Sequence, residues 1–281
     1  MSTTRGLTLH NDLLDLAEAV PPLPSTVTRL ASAIANAQCE IEEITTIVRE
    51  DPIVVAALLR ESNSAASAPV SEIVTTEAAI MRLGTARVLA VATDSGLPEQ
   101  TREGLTSYQM EAGELWEHSI RVSYVAEAIY KANRALAGPE VVTAALLHDL
   151  GQMLLDKVLD PHHFGEAMAC HTEITAAERE LVEVDHAELG ALLLELWGIP
   201  WSISDAVRHH HQPEFGESAM PYIVSAADRF VHEIFDARLA SPEDNHEHLL
   251  RSLAFLGLDY HGVLDGAHKL LTDYGHTFGD D

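Results

Sequence analysis

The chain contains little of what marks secreted or membrane-spanning proteins. Its two cysteines, Cys39 and Cys170, are too few and too far apart for a disulfide framework or a cysteine-rich zinc site. The longest apolar run, Ile53 to Leu59, has seven residues, whereas a membrane-spanning helix needs about 20. Residues 1–12 contain no apolar signal core. The sequence therefore predicts a cytoplasmic protein without a membrane partner.

Basic residues are also scarce. The 281 residues include 17 Lys and Arg against 44 Asp and Glu, which gives a net charge of −27. Binding to nucleic acid or to anionic lipid requires clustered Lys and Arg that neutralise phosphates. The chain has no such cluster, so we expect no nucleic-acid partner. Histidine, by contrast, is abundant, with 16 copies that could ligate metals.

Apolar residues recur at helical spacing in nearly every segment, and no stretch alternates for long enough to predict a sheet. The predicted fold class is all-α, with two packed helical lobes. We place the first lobe at 12–96, the second at 97–240 and a C-terminal helical extension at 241–281. Ile53 to Leu59 is apolar on every face, which predicts a position at the centre of the first lobe.

Carboxylate and imidazole side chains recur at predicted helices and helix ends of the second lobe. Glu114 and His118 are four residues apart and share one helix face. The whole set comprises Glu114, His118, His148, Asp149, His186, His210, His211 and Asp228. Nitrogen and oxygen donors without thiolates suit Fe or Mn better than a structural zinc. In the adjacent pair His148 and Asp149, the imidazole can hold one metal while the carboxylate bridges to a second, an arrangement used in phosphoester hydrolysis.

Each histidine also has an ordinary alternative. In a chain with 16 histidines, a single one is more often solvated or hydrogen-bonded than a ligand. His209 to His211 could equally form an exposed helix end, where imidazolium complements the helix dipole. We apply this interpretation to ten others: His10, His162, His163, His171, His232, His246, His248, His261, His268 and His276.

Three stretches of the first half carry a family resemblance. They are PPLPS at 21–25, VREDP at 48–52 with LLRESNS at 58–64, and AAIMRLG at 78–84. In combination they resemble the HDOD domain, a bacterial signalling module related to the HD phosphohydrolase superfamily. The resemblance runs from about Leu16 to about Ala237. It implies an all-α fold in which a helical N-terminal lobe packs on an HD-like lobe.

The second lobe is similar to that of the HD-GYP phosphodiesterases, a sister group, and this similarity implies roles for its residues. By position, the implied metal ligands are Glu114, His118, His148, Asp149, His186, His210, His211 and Asp228. We expect the last seven to converge in one pocket, with Glu114 at its rim. The implied cofactor is one or two divalent first-row metals, Fe or Mn ahead of Mg, Ni or Zn, in octahedral or five-coordinate geometry. In an active enzyme, Asp149 would be the catalytic residue.

Two features depart from the phosphodiesterase pattern. Gln152 stands where those enzymes have a lysine that serves the substrate phosphate, and the segment after His211 lacks the Gly-Tyr-Pro signature. The candidates for substrate contacts are Arg121, Gln152 and Arg208, and Arg229, which also flanks a ligand, could add phosphate-binding charge. For each arginine, the ordinary alternative is a surface ion pair with the abundant carboxylates.

Two interpretations of function stay open at this point. The favoured one is a regulatory signal-transduction module, in which the first lobe contacts a signalling protein and a metal fastens the helices of the second lobe. The alternative is a metal-dependent phosphohydrolase acting on a nucleotide or another small phosphoester. The retained ligand set favours an enzyme, while the missing lysine and the scarcity of cationic groups disfavour one.

Overall fold

The part of the chain that the structure describes is mostly helical. The computed structural model describes residues 15–36, 38–64, 72–97, 102–171, 173–235 and 242–273. Within these ranges, extended pairing is confined to an isolated bridge between Leu105 and Met110. The predicted all-α fold is therefore confirmed. In the described part of the chain, no helix is both long enough and apolar enough to cross a membrane.

The first lobe is built from short helices that pack around α5. Its elements are α1 (15–19), α2 (Ser25–Ala35), α3 (Ile41–Arg49), α4 (Pro52–Ser62) and α5 (Thr76–Gly96). The Asp51 side chain caps α4 by accepting hydrogen bonds from the backbone N–H groups of Ile53 and Val54. Gly84 has a φ of 77° and breaks α5 into two segments, because only glycine adopts this conformation readily.

Helix α4 lies at the edge of the first lobe and not at its centre. Val54, Ala57 and Leu58 are buried, but the side chain of Ile53 is 68% exposed. The predicted central position of this apolar run is therefore wrong for its outer face. The reason is that α4 packs against α3 and α5 on one side only.

The second lobe and the extension contain ten α-helices in the described residues. They are α6 (Glu114–Ala132), α7 (Val141–Leu147), α8 (Gln152–Leu155), α9 (Pro161–Met168), α10 (Ile174–Val182), α11 (His186–Leu196), α12 (Trp201–Arg208), α13 (Met220–Phe235), α14 (Pro242–Leu256) and α15 (Tyr260–Asp273). A 3-10 turn, Pro213–Phe215, lies between α12 and α13.

The core of the second lobe forms around α6, α7 and α13, which pack against one another. Every residue of α7 is buried. Helix α5 of the first lobe packs on α7, while α14 covers α13 and α15 covers α6. A single apolar core thus runs through both lobes. The limits of the domains at 96 and 240 stay a prediction.

Two helices approach each other closely at Gly151, which precedes α8. A Cβ atom on Gly151 would lie 2.0 Å from the carbonyl oxygen of His186 and 2.7 Å from the backbone nitrogen of Gly190, both in α11. The backbone of Gly151 has φ −65° and ψ −24°, which any residue can adopt. Glycine is therefore needed here for space and not for conformation.

We expect Gly151→Ala to destabilise the protein by about 1–3 kcal/mol, because α11 must move away from the new methyl group. Gly165→Ala is the matched control, because its Cβ meets nothing within 4 Å inside α9; it should stabilise by about 0.5–1 kcal/mol. Thermal unfolding of both variants measures the difference. Wild-type stability in Gly151→Ala would show that the helices do not approach as closely as described.

Candidate metal centre

Seven of the predicted ligands come together where the central helices of the second lobe meet. His118 lies in α6, His148 and Asp149 follow α7, and His186 begins α11. His210 and His211 follow α12, and Asp228 lies in α13. Their donor atoms fall into overlapping groups, in each of which the atoms lie within 4.8 Å of one another. The structure thus brings these seven side chains together, and their role as metal ligands stays a prediction.

Asp149 stands between two sets of imidazoles. Its Oδ1 lies 3.1 Å from His186 Nε2 and 3.7 Å from His210 Nε2. Its Oδ2 lies 3.3 Å from His148 Nε2 and 3.9 Å from His118 Nε2. One carboxylate therefore faces a different pair of histidines with each oxygen, as a bridging ligand of two metals would.

The second carboxylate of the cluster, Asp228, belongs to one side of it. Its Oδ1 lies 3.1 Å from His118 Nε2 and 3.4 Å from His148 Nε2. On the other side of Asp149, the Nε2 atoms of His186 and His211 are 3.0 Å apart. The cluster thus has His118, His148 and Asp228 on one side of Asp149 and His186 and His211 on the other, while His210 lies close to both sides.

Three of these imidazoles form a hydrogen bond through Nδ1, the nitrogen that faces away from the cluster, and two of the three bond to a backbone carbonyl. His148 Nδ1 lies 2.9 Å from the Ala145 carbonyl oxygen, and His210 Nδ1 lies 2.6 Å from that of Val207. A carbonyl only accepts, so each Nδ1 donates a proton to it, and Nε2 is the nitrogen that faces the cluster. Metal-binding histidines are usually oriented in this way.

His186 is oriented by a carboxylate that sequence reasoning missed. Glu178 is fully buried in α10, and its oxygens lie 2.8 and 2.9 Å from His186 Nδ1. It also accepts hydrogen bonds from the backbone N–H of His186 and the hydroxyl of Tyr108. The available signal was weak: Glu178 shares the buried face of α10 with Thr175 and Val182, an unusual place for a carboxylate.

His232 is a second residue that we had not assigned to the cluster. Its Nε2 lies 3.2 Å from Asp228 Oδ1, and its ring centroid is 4.6 Å from that of His118. The signal was the spacing of four residues between Asp228 and His232 on one helix. His118, Asp228 and His232 form a further group of nearby donors at the outer side of the cluster.

The chemistry of this cluster fits a divalent metal. The Nε2 of His210 is buried and has no hydrogen-bond partner, which costs free energy unless something binds it. The facing Nε2 atoms of His186 and His211 can share only one proton. Adjacent ligands of a first-row metal bound at about 2.0–2.2 Å lie about 3 Å apart. A metal would be held by Asp149 with His186, His210 and His211, or by Asp149 with His118, His148 and Asp228.

Burial and charge shift the pKa values within the cluster in opposite directions. Burial raises the pKa of Asp149 and Asp228, but the surrounding imidazoles outweigh it and hold both well below their usual range. Burial lowers the pKa of His148, yet the two neighbouring carboxylates raise it to about 10. For His210, burial and the neighbouring imidazoles together lower the pKa to about 4. A metal must therefore displace a proton from His148, so its binding weakens as the pH falls.

The other predicted site residues, apart from Gln152, contact residues that do not belong to the cluster. Glu114 Oε2 accepts a hydrogen bond from the backbone N–H of Glu111, and among the described residues Glu114 is outside the groups of mutually close donors. Its place at the rim stays a prediction. Arg121 pairs with Glu117, and Arg208 donates to Glu195 Oε1 at 2.8 Å.

The remaining substrate-contact candidate, Gln152, is buried at the start of α8. Its Oε1 atom has no hydrogen-bond partner. A neutral amide in this position offers no charge to a phosphate, in contrast to the lysine of the phosphodiesterase pattern.

Glu178→Gln tests how the cluster depends on its buried support. We expect metal affinity to fall by about 10- to 100-fold, because the amide cannot hold His186 in the same protonation state. Glu180→Gln is the matched control on the same helix, where an exposed carboxylate pairs with His171; it should bind metal as the wild type does. Chelator competition measures both. Equal affinities in the two variants would contradict the supporting role of Glu178.

Solved structures of similar fold cover nearly the whole chain. An HDOD domain protein of unknown function from Geobacter sulfurreducens has a TM-score of 0.68 at 20% identity and covers 97% of this chain and 99% of that one. A candidate metal-dependent phosphohydrolase from Shewanella amazonensis has a TM-score of 0.63 at 19% identity, with 98% and 100% covered. At these identities, the likeness shows the fold alone.

Two curated proteins are similar in sequence. An uncharacterized protein of Treponema pallidum is 27% identical over 262 residues, which cover 89% of this chain and 48% of the relative. Ribonuclease Y of Thermus thermophilus is 30% identical over 147 residues, which cover 52% of this chain and 21% of the enzyme. The chain thus spans about half the length of the first relative and about a fifth of the second.

The comparison with protein families matches more than half of the chain. The HDOD domain matches residues 20–213. The match includes the first lobe from α2 onwards and the candidate ligands from His118 to His211, while Asp228 and His232 lie beyond its end. Because the match extends over more than half of its length, the chain belongs to the HDOD domain family.

Proposed function

We propose that the protein is a bacterial signal-transduction module of the HDOD family whose second lobe is held together by a divalent-metal centre. The observation that carries the proposal is the position of Asp149 between two sets of histidines, with one oxygen 3.1 Å from His186 and the other 3.3 Å from His148. Bound at this position, metal ions would join five elements of the lobe through direct bonds.

The contacts of the cationic side chains support a regulatory role over a catalytic one. Arg121 and Arg208, two of the arginines with a predicted substrate role, are engaged by Glu117 and Glu195. Gln152 replaces the phosphate-binding lysine of the phosphodiesterases. At these three positions, a phosphoester would therefore find less cationic support than at the sister enzymes' sites.

The first lobe supplies a surface for a signalling protein. Ile53 on α4, Val74 before α5 and Met81 within α5 are exposed by 68%, 70% and 73%. Large apolar side chains exposed in one lobe are typical of protein contact surfaces. In this proposal, the metal centre fixes the second lobe, and α5, which packs on α7, links that lobe to the contact surface.

The second candidate is a metal-dependent phosphohydrolase, and one observation favours it. Each side of the cluster offers about four protein donors, whereas five- or six-coordinate metals need more. His118 and His211 are also partly exposed, so water could complete the coordination. A bound metal pair lowers the pKa of such a water and neutralises a phosphoryl oxygen. The similarity to ribonuclease Y, over about half of this chain, is consistent with hydrolysis of phosphodiesters.

Asp149→Ala separates the two candidates. In a regulatory module, the change should lower metal content and stability without removing any activity. Loss of a metal present at 100 times its Kd costs about 2.7 kcal/mol, which corresponds to roughly 5–10 °C in Tm for a chain of this size. Elemental analysis, thermal unfolding and an assay of cyclic dinucleotides and simple phosphoesters with Mn or Fe measure the three quantities together.

The control for this experiment is His163→Ala, because that side chain is 70% exposed and lies away from the cluster. It should leave metal content and Tm unchanged. Robust metal-dependent turnover by the wild type, lost in Asp149→Ala, would contradict the regulatory proposal and establish the hydrolase. Equal metal content in wild type and Asp149→Ala would contradict both candidates.

A further inference from the structure

The carboxylate of Glu173 lies at the outer side of the histidine cluster among nitrogen atoms of three other elements. Arg229 Nη2, from α13, is 3.4 Å from its Oε1 and 3.5 Å from its Oε2. His248 Nδ1, from α14, is 3.6 Å from Oε1. His211 Nδ1, which follows α12, is 3.9 Å from Oε2. One anionic group is thus surrounded by an arginine and two histidines.

This arrangement adjoins the metal centre directly. His211 presents its Nε2 to His186 inside the cluster and its Nδ1 towards Glu173. Arg229 follows the candidate ligand Asp228 in the chain, and its guanidinium is almost completely buried. The exposed fraction of the side chain rises outwards, from 8% for Arg229 to 33% for Glu173 and 40% for His248. The group therefore forms a wall of the cluster that reaches solvent.

The distances from Glu173 to its partners are longer than those in a strong, hydrogen-bonded ion pair. Hydrogen bonds between charged nitrogen and oxygen are usually about 2.7–2.9 Å long, and every distance here is 3.4 Å or more. Arg208, by comparison, holds Glu195 at 2.8 Å. Because the contact with Glu173 is long, the nearly buried side chain of Arg229 can exchange the Glu173 carboxylate for another anion that offers better hydrogen-bond geometry.

We propose that Arg229 and His248, together with His211, form a binding site for a phosphate dianion, which the Glu173 carboxylate fills from within the protein until a ligand displaces it. A phosphate group has the negative charge and the several acceptor oxygens that this donor set requires, and arginine recognises it in a planar, two-pronged manner. The ligand class is a small phosphate or phosphomonoester. A polyanion such as a nucleic acid would meet the repulsion of a chain of net charge −27.

The site also connects the ligand to the C-terminal helices. Helix α14 carries His248, and its Asn245 side chain donates a hydrogen bond to the backbone carbonyl of Arg229 at 2.9 Å. A phosphate bound at Arg229 replaces the link between His248 and Glu173 with one between His248 and the ligand. The inference deepens the proposed regulatory function by naming a ligand class, and only its proximity to metal rests on that proposal.

The test measures the affinity of the 281-residue chain for inorganic phosphate by titration calorimetry, in parallel with metal analysis. Glu173→Gln removes the competing charge and should bind phosphate about threefold to tenfold more tightly. Arg229→Gln should bind it about tenfold or more weakly, and His248→Gln about threefold more weakly. The side chain of His248 is partly exposed, so its variant keeps the test valid if Arg229→Gln fails to fold.

Glu195→Gln is the matched control, because it releases Arg208 from its carboxylate just as Glu173→Gln releases Arg229. It should leave the phosphate affinity unchanged. The proposal is overturned if Glu173→Gln gains no affinity, if Glu195→Gln gains as much, or if His248→Gln binds like the wild type. A protein that binds no metal but shows the predicted order of phosphate affinities would overturn the proposed metal centre and support the phosphate site.

Discussion

The negatively charged carboxylate of Asp149 lies in the protein interior. Burying an isolated carboxylate would cost a large amount of folding free energy. Its two oxygens face His186 and His148, and these imidazoles are in turn held by Glu178 and by the Ala145 carbonyl. The surrounding helices are arranged so that each ring presents the correct nitrogen. The main architectural constraint on the second lobe is therefore the compensation of this buried charge, by protons or by metal.

The buried carboxylates are compensated by a protonated imidazole on each side of Asp149. In the metal-free cluster, protons on His148 and His186 balance the carboxylates, while burial keeps His210 neutral. A metal would replace those protons and also satisfy the Nε2 of His210, which has no hydrogen-bond partner. Folding, metal binding and pH are thus coupled in this lobe. The close approach at Gly151 follows from the same requirement, because it brings α11 and His186 against the end of α7.

Much of the fold and of the histidine cluster could be predicted from the sequence. Helical periodicity identified the all-α architecture, and family resemblance selected His118, His148, Asp149 and His186, whose side chains lie together in the structure. Glu178 was not predicted, because its contact with His186 depends on the tertiary packing of α10 and not on a local pattern. The contacts of Arg121 also depend on packing, because its long side chain pairs with Glu117 and lies over the ring of Phe235.

The central claim is that the cluster holds two divalent ions joined by Asp149. Electron paramagnetic resonance of the protein titrated with Mn(II) tests it most directly, because ions about 3.5–4 Å apart couple magnetically. The account predicts that saturated protein shows two Mn per chain and the broad signal of a coupled pair. A saturated protein that shows only the six-line signal of isolated Mn, or that binds no Mn above buffer, would contradict it.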